Sequence, residues 1–594
     1  MFLATTALES YWNTEEPLVF LGEWCCRYDR RHIWEPLQRI MLPNPWDDRQ
    51  IFKDAYQYVL ETTKDVISSL SPVMNQLHKE DLGIRSWQII LGPWLVWYVT
   101  ALYDRYLRLK EALNRWPDLT TWGLEELAFL TPRDTLEAFF FLNTDFANLQ
   151  ICTQILDALG VRFPRRPMNH QPLNFREADR QRKGNETNKF KILKRKALRF
   201  ILRQTARINP YHPVIIRNAL FSGSQEIQLI LKTGLKAWTV SDKIESFSEF
   251  KIDPLMRSRL NGFIKEKDEF SKILNKMLPR AIPICFVEGY KDIQNKITKQ
   301  FPSSPTAILS AGGWHYDELL KAWAAQCLGN NTKILCQQHG GGYGSSLSLF
   351  LYEHELAIAD KFYSWGWTST AYPKKVHPLP PAHLFRSELL KANQKKEILF
   401  VTTVVYRYFN EFSPLAGSMQ KYIAWQQRFI DCLPGEIRKN LTVRLHRQDF
   451  DWCLQKRWND RYPDIKCEYW KVPFRQRLSQ CALYVFDHNE TTFLESLSAN
   501  KPSILFWDPE IVELNPDASL YYEELKSVGI LHDTPESAGV AVSHIFGQIE
   551  AWWSHPRIQT VRENFCRRFA LTSRHTIHDW AIELKHLAQE KASP

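Results

Sequence analysis

The chain has 594 residues, with 22 tryptophans, 11 cysteines and a formal net charge of +10. Its length predicts several domains with ample core, and the cysteines, lacking metal-ligand spacing or any CxxC pair, point to reduced thiols in a cytoplasmic protein. Residues 176–207 carry 12 Lys/Arg against three acidic residues, a local +9, so the remainder is close to neutral and basicity belongs to one segment.

The opening MFLATTALESYW lacks the basic flank and long apolar core of a secretory signal. Phe2–Thr6 and Leu18–Gly22 read as strands at the edge of an α/β domain. Residues 51–77, 87–113 and 134–159 carry apolar side chains at helical spacing, which predicts a large helical insertion over about 50–210. The uncharged run Ser86–Tyr103 is broken by Gln88 and Gly92-Pro93, and its strongly apolar part is short for a bilayer. It is expected to be a buried core helix, and no transmembrane segment is predicted. Lys189–Arg207 places Phe190, Leu193, Ala197, Phe200 and Ile201 on one face, with Lys194, Arg195, Lys196 and Arg199 beside it. Such a helix can lie on an anionic membrane surface, or simply be solvated and packed on its own domain. No nucleic-acid motif accompanies it, so nucleic acid is not an expected partner.

Strands are predicted at Val214–Ile216, Ala237–Val240, Ile284–Val287, Ala307–Leu309, Lys333–Cys336 and Phe362–Tyr363, completing a Rossmann-like lobe over 1–371. The proline-rich YPKKVHPLPP opens a linker over 372–397. Strands at Ile398–Thr402, Leu441–Leu445, Leu483–Phe486 and Ser503–Phe506 build a second Rossmann-like lobe over 398–575. In 576–594, Ile577, Trp580, Leu584 and Leu587 share a helical face, expected to pack back on the first lobe. The predicted fold class is α/β with two Rossmann-like lobes.

Candidate site residues lie where strands end. Asp487 to Glu490 is a polar break between a strand and a helix that begins at Thr491, the position where open parallel sheets hold ligands. Free N–H groups and the helix dipole favour an anion there. Asn489, Thr491 and Thr492 offer polar groups, and Glu495 an acceptor for a sugar hydroxyl; a plain helix cap is the simpler alternative. Arg444 and His446 stand at a strand mouth and suit a phosphate. In the first lobe, SAGGWHYDE and QQHGGGYG both leave strand ends. Gly340, Gly341 and Gly342 permit close backbone approach to a ligand, but no Lys-Ser/Thr follows, so this is not a Walker loop. His339 suits acid/base work or a developing negative charge. Asp317 and Glu318 are candidates for base or nucleophile at an anomeric carbon, and the residues do not separate them. Tyr406-Arg407-Tyr408 can face the same cleft. Asp449-Phe450-Asp451 has DxD spacing but lies in a Trp-rich, helix-like segment. Neither a metal nor a cofactor is expected.

FLATTALESYW, VFLGEWC, QHGGGYG, ADKFYSWGW, DHNETTFLESLSANKPSILFW and EAWWSHPRIQTVRENFCRRFA run nearly end to end. On these the chain resembles a family of bacterial transferases encoded with O-antigen and capsule biosynthesis genes, and its two-lobed outline is similar to GT-B glycosyltransferases. The resemblance implies a sugar transferase of surface polysaccharide assembly. With the two α/β lobes and the basic helix, the expected protein is a cytoplasmic enzyme, peripheral to the inner membrane, that moves a sugar from a nucleotide-sugar donor to a lipid-linked glycan. The His-Gly loop and second-lobe pattern also look like those of transferases using CMP-activated acidic sugars. Two alternatives stay open: transfer of a phosphoalditol or phosphosugar, as in teichoic-acid-like polymers, and a non-catalytic assembly factor docked on membrane through Lys189–Arg207.

Overall fold

The computed structural model describes residues 1–168, 213–240, 250–384, 396–413, 415, 417, 419–468, 470 and 472–590. The basic helix expected at Lys189–Arg207, with Lys194, Arg195, Lys196 and Arg199, lies outside the described residues.

Two six-stranded, all-parallel sheets form the frame. The first runs Val376–Pro378, Lys361–Ser364, Lys333–Gln337, Ala307–Ser310, Val214–Ile216 and Ala237–Thr239. The second runs Lys466–Glu468, Leu441–Arg444, Ile398–Val401, Leu483–Phe486, Ser503–Phe506 and Leu531–His532. Numbered by chain position within each sheet, the first is ordered 6-5-4-3-1-2 and the second 3-2-1-4-5-6. Both are doubly wound orders, in which ligands lie outside the carboxyl ends of the strands where the order reverses. Central strands such as Ala307–Ser310, Ile398–Val401 and Leu483–Phe486 are buried at every residue, as parallel strands covered by helices on both faces must be.

Three local expectations change. The strands near residues 2 and 18 form in a separate three-stranded parallel sheet, whose middle strand Leu18–Phe20 pairs with Phe2–Ala4 and with Arg39–Met41, a strand not foreseen. Ile284–Phe286 is a 3-10 turn after Pro283, not a strand, because its amides are spent on the Pro132 and Arg133 carbonyls at 2.9 and 2.8 Å. Within the proline-rich run, Val376–Pro378 is the sixth strand of the first sheet.

The helical layer centres on Arg49–His78 and Ile84–Arg115, which pack side by side. Asp48 caps the first through two amides. The second carries Trp87, Trp94 and Trp97 into the core and is buried around most of its circumference. Among the described residues no helix is long and apolar enough to cross a membrane. The helix Thr576–Glu590 returns to cover the first sheet: Trp580 is fully buried, its ring set edge-on to Tyr363 and Phe221 and its indole N–H donating to the Pro380 carbonyl at 2.9 Å.

The two lobes are pinned together on the side of the helical layer. After the strand Ile398–Val401 the chain inserts Phe409 and Phe412 among Trp46, Phe52 and Tyr56. Arg407 donates to Asp145 at 2.6 Å and to the Trp24 carbonyl at 2.7 Å. This places the carboxyl ends of both sheets against one shared cavity.

Candidate active site between the lobes

The cavity has a volume of about 300 Å³. Its first-lobe wall is the turn His339 to Tyr343 with Ser346 and Tyr352; its second-lobe wall is Thr403 to Tyr406, His446, Gln448 and His488 to Thr491. Thr403 to Tyr406 follow the first strand of the second sheet and His488 to Thr491 follow the fourth, so the cavity sits where that sheet's order reverses.

One contact sets the gap between the walls. The Gly341 N–H donates to the Thr491 hydroxyl at 3.0 Å. A Cβ on Gly341 would stand 2.5 Å from Glu490 Cα and 2.6 Å from the Thr491 nitrogen, so only glycine allows this approach. The Asn489 amide reaches across as well, to the Ser345 and Ser346 hydroxyls at 3.5 and 3.3 Å. Gly342, at φ +80, turns the loop back toward Ser346.

The structure thus gathers His339, Gly340, Gly341, Gly342, His446, Asn489 and Thr491 into one cavity. The other residues expected there are elsewhere. Asp317 is buried and accepts from Arg217 Nε at 2.6 Å, Asn218 at 3.2 Å and the Leu320 amide at 3.2 Å. It is the cap of the helix Glu318–Cys327, with its lone pairs committed. Glu318 is buried too, bound to Lys321 Nζ at 2.7 Å and to the Thr135 amide at 2.9 Å. Neither carboxylate lines the cavity, so neither is placed to act as its base or nucleophile. Arg444 turns away beneath Trp470, fully buried, bonded to Glu468 at 2.7 Å and the Val472 carbonyl at 2.9 Å. Thr492 contacts His488 Nε2 at 3.2 Å, and Glu495, one turn further in, is half-buried; neither lines the cavity. Burial pushes the Glu495 carboxyl up to about 7, with Arg475 and Arg444 opposing.

The cavity also holds groups that the sequence did not single out. Glu411 arrives on the inserted aromatic segment, and burial raises its carboxyl to about 7. Glu490 accepts from the Thr403 hydroxyl at 3.3 Å. His488 is held by Asp487 at 2.9 Å, and Asp487 in turn by Gln426 at 2.7 Å. Burial opposes protonation of His488, but the Asp487 and Glu490 carboxylates together outweigh it and raise that ring's pKa. A helix-opening polar run marked Asp487, His488 and Glu490 without saying which side chains face inward, and nothing in the sequence marked Glu411.

A profile described as LIC12162 family transferase matches residues 1–584. The chain belongs to this transferase family. No curated protein matches the transferase in sequence. Among solved structures, S. aureus TarM with fondaparinux, α-GlcNAc-glycerol and UDP is 8% identical at a TM-score of 0.32, over 49% of the transferase and 58% of that chain. The transferase therefore spans less than two thirds of that first neighbour. Anabaena HepE with UDP-glucose is 12% identical at 0.32, over 64% and 99% of the two chains. The wall teichoic acid polymerase TagF is 9% identical at 0.33, over 71% and 98%. At such scores these likenesses transfer neither substrate nor mechanism to the transferase.

Proposed function

We propose that this transferase is a glycosyltransferase that moves a sugar from a nucleotide-activated donor to an acceptor hydroxyl held between its lobes. One observation carries the reading: strand-end loops from both sheets line a single cavity, with a histidine on one wall and the polar start of a helix on the other. The Asn489–Thr491 wall, with His446 near it, offers hydrogen-bond donors to a nucleotide phosphate. His339 faces them and is the residue we assign to the acceptor's proton. The acceptor we infer is a lipid-linked surface glycan of the O-antigen or capsule type, met by a cytoplasmic enzyme at the inner membrane face, where the basic segment Lys189–Arg207 would meet anionic lipid. A CMP-activated acidic sugar is the donor tested first. No metal is assigned a part in this reading.

A thermal-shift panel of CMP-, UDP-, GDP- and dTDP-sugars tests it, because a ligand that binds only the folded chain raises its melting temperature. One nucleotide class should raise it, and His339→Ala should abolish glycan synthesis in cells. No shift with any donor, together with intact synthesis in His339→Ala cells, would end the proposal. Phosphodiester linkages in the product would redirect it to phosphosugar transfer.

A further inference from the structure

Behind the cleft histidine lies a carboxylate that the reading above leaves unused. Glu355, on the helix Phe350–Ile358, is completely buried. Its Oε1 is 3.1 Å from His315 Nε2 and 3.2 Å from His339 Nε2. The Tyr343 hydroxyl lies 2.8 Å from that same His339 nitrogen. Segments that follow two neighbouring strands of the first sheet, Ala307–Ser310 and Lys333–Gln337, therefore converge on one side chain. Removing a carboxylate from water costs several kcal/mol unless partners compensate. Here burial alone would raise the Glu355 pKa, and the two imidazoles overturn that and hold it at about 2.

Few other ionisable groups face this centre. Lys321 is engaged with Glu318 at 2.7 Å. His354, on the same helix, is kept neutral by burial, which lowers it to about 3. The Cys336 thiol donates to the Glu355 main-chain carbonyl at 3.7 Å. Glu411 lies on the cavity wall contributed by the second lobe. Both polar contacts of the His339 ring run through Nε2, and Nδ1 makes none among the described residues. The side chain is 24% exposed, toward the cavity.

We propose that Glu355 is a positioning residue that fixes His339 in its Nε2–H form, leaving Nδ1 to take the acceptor's proton, while His315 steadies the carboxylate from behind. The proposal rests on the cavity being the transfer site. In the step, the acceptor O–H bond breaks and its proton passes to His339 Nδ1. The oxygen forms a bond to the donor's anomeric carbon, and the bond from that carbon to the phosphate oxygen breaks, its electron pair leaving with the nucleotide. The resulting imidazolium faces Glu355, which stabilises it as a buried carboxylate stabilises the histidine of a hydrolase triad. The ligand atoms of His315, His339 and Glu355 also lie within 4.8 Å of one another, a set that could hold a transition metal. A metal would need a bare His339 Nε2, whereas the Tyr343 oxygen at 2.8 Å and the Glu355 carboxylate at 3.2 Å both face that nitrogen, which suits a protonated Nε2 and proton handling.

The test uses the full chain labelled with 15N-histidine, the His339 signals being assigned by their loss in His339→Gln. Ring nitrogen shifts should report the Nε2–H tautomer in the unsubstituted protein, a result that needs no variant to fold. In Glu355→Gln the share of His339 in the Nε2–H tautomer should fall, because the charge that holds that proton is gone. With the nucleotide sugar found by thermal shift, kcat should fall roughly 100-fold at similar KM. An Nδ1–H tautomer, a tautomer share unchanged in Glu355→Gln, or stoichiometric zinc in the purified protein would each overturn the proposal. The tautomer is read without turnover, so its failure is separate from a failure of the glycosyltransferase reading.

Discussion

The amide of Gly341 in the first lobe donates to the hydroxyl of Thr491 in the second at 3.0 Å, and that contact sets the distance between the walls of the cavity. Gly341→Ala would place a methyl 2.5 Å from Glu490 Cα, where backbone and not a flexible side chain must yield. The expected cost is about 1–3 kcal/mol of stability, as for overpacking elsewhere, with a larger loss of donor affinity. Urea melts compared with titration of the active nucleotide sugar separate the two. An unchanged affinity would mean that the lobes do not need this approach.

Asp317→Ala should unfold the protein more readily without touching chemistry. It leaves Arg217 buried beside an empty site, a change worth about 3–5 kcal/mol, and it removes the cap of Glu318–Cys327. Denaturant midpoints should drop while turnover per folded molecule holds. A stable but inactive Asp317→Ala protein would return this carboxylate to the reaction.

Glu411 gives a pH signature. Its carboxyl sits near 7 in the fold against an ordinary 4.5, so the folded state binds the extra proton between those values. Stability is then greatest below about 4.5 and declines as pH rises toward 7. Glu411→Gln removes the penalty. It should be nearly neutral at pH 4.5 and stabilise by on the order of 1–3 kcal/mol at pH 8, measured as melting temperature across pH. A flat difference between the two proteins would refute the assignment.

Trp580→Ala empties a fully buried site between the terminal helix and the first sheet. Roughly 3–5 kcal/mol should be lost, visible as a lowered melting temperature. Hydrogen exchange should rise first in Val214–Ile216 and Ala237–Thr239, the strands that this helix contacts. Faster exchange confined to the second sheet would contradict this.

How far the residues alone carry is seen by comparing these positions. The central strands were legible because short apolar runs rich in β-branched or aromatic residues, such as Val214–Ile216 and Leu483–Phe486, are bounded by turn or polar residues. Arg39–Met41 was not, since all three side chains are exposed and no alternation betrays a strand. His339, Asn489 and Thr491 were legible as loop residues at strand ends. Asp317 and Arg444 have the same signature, but each is neutralised by a partner set by tertiary folding, Arg217 standing 100 positions before Asp317. Glu355 was hidden for the opposite reason: it lies within a helix, and the rings that give it meaning come from two other segments, the short helix Gly313–Tyr316 and the loop at His339.

Because Thr576–Glu590 lies over the first sheet, the ribosome releases that sheet's strands long before the segment that covers them. The entire second sheet is translated in the interval. The nascent amino-terminal half must therefore wait with a greasy face uncovered, the kind of surface that chaperones hold and that aggregates when they do not. Premature termination anywhere before Trp580 strands the polypeptide in that condition, however well its earlier strands have paired.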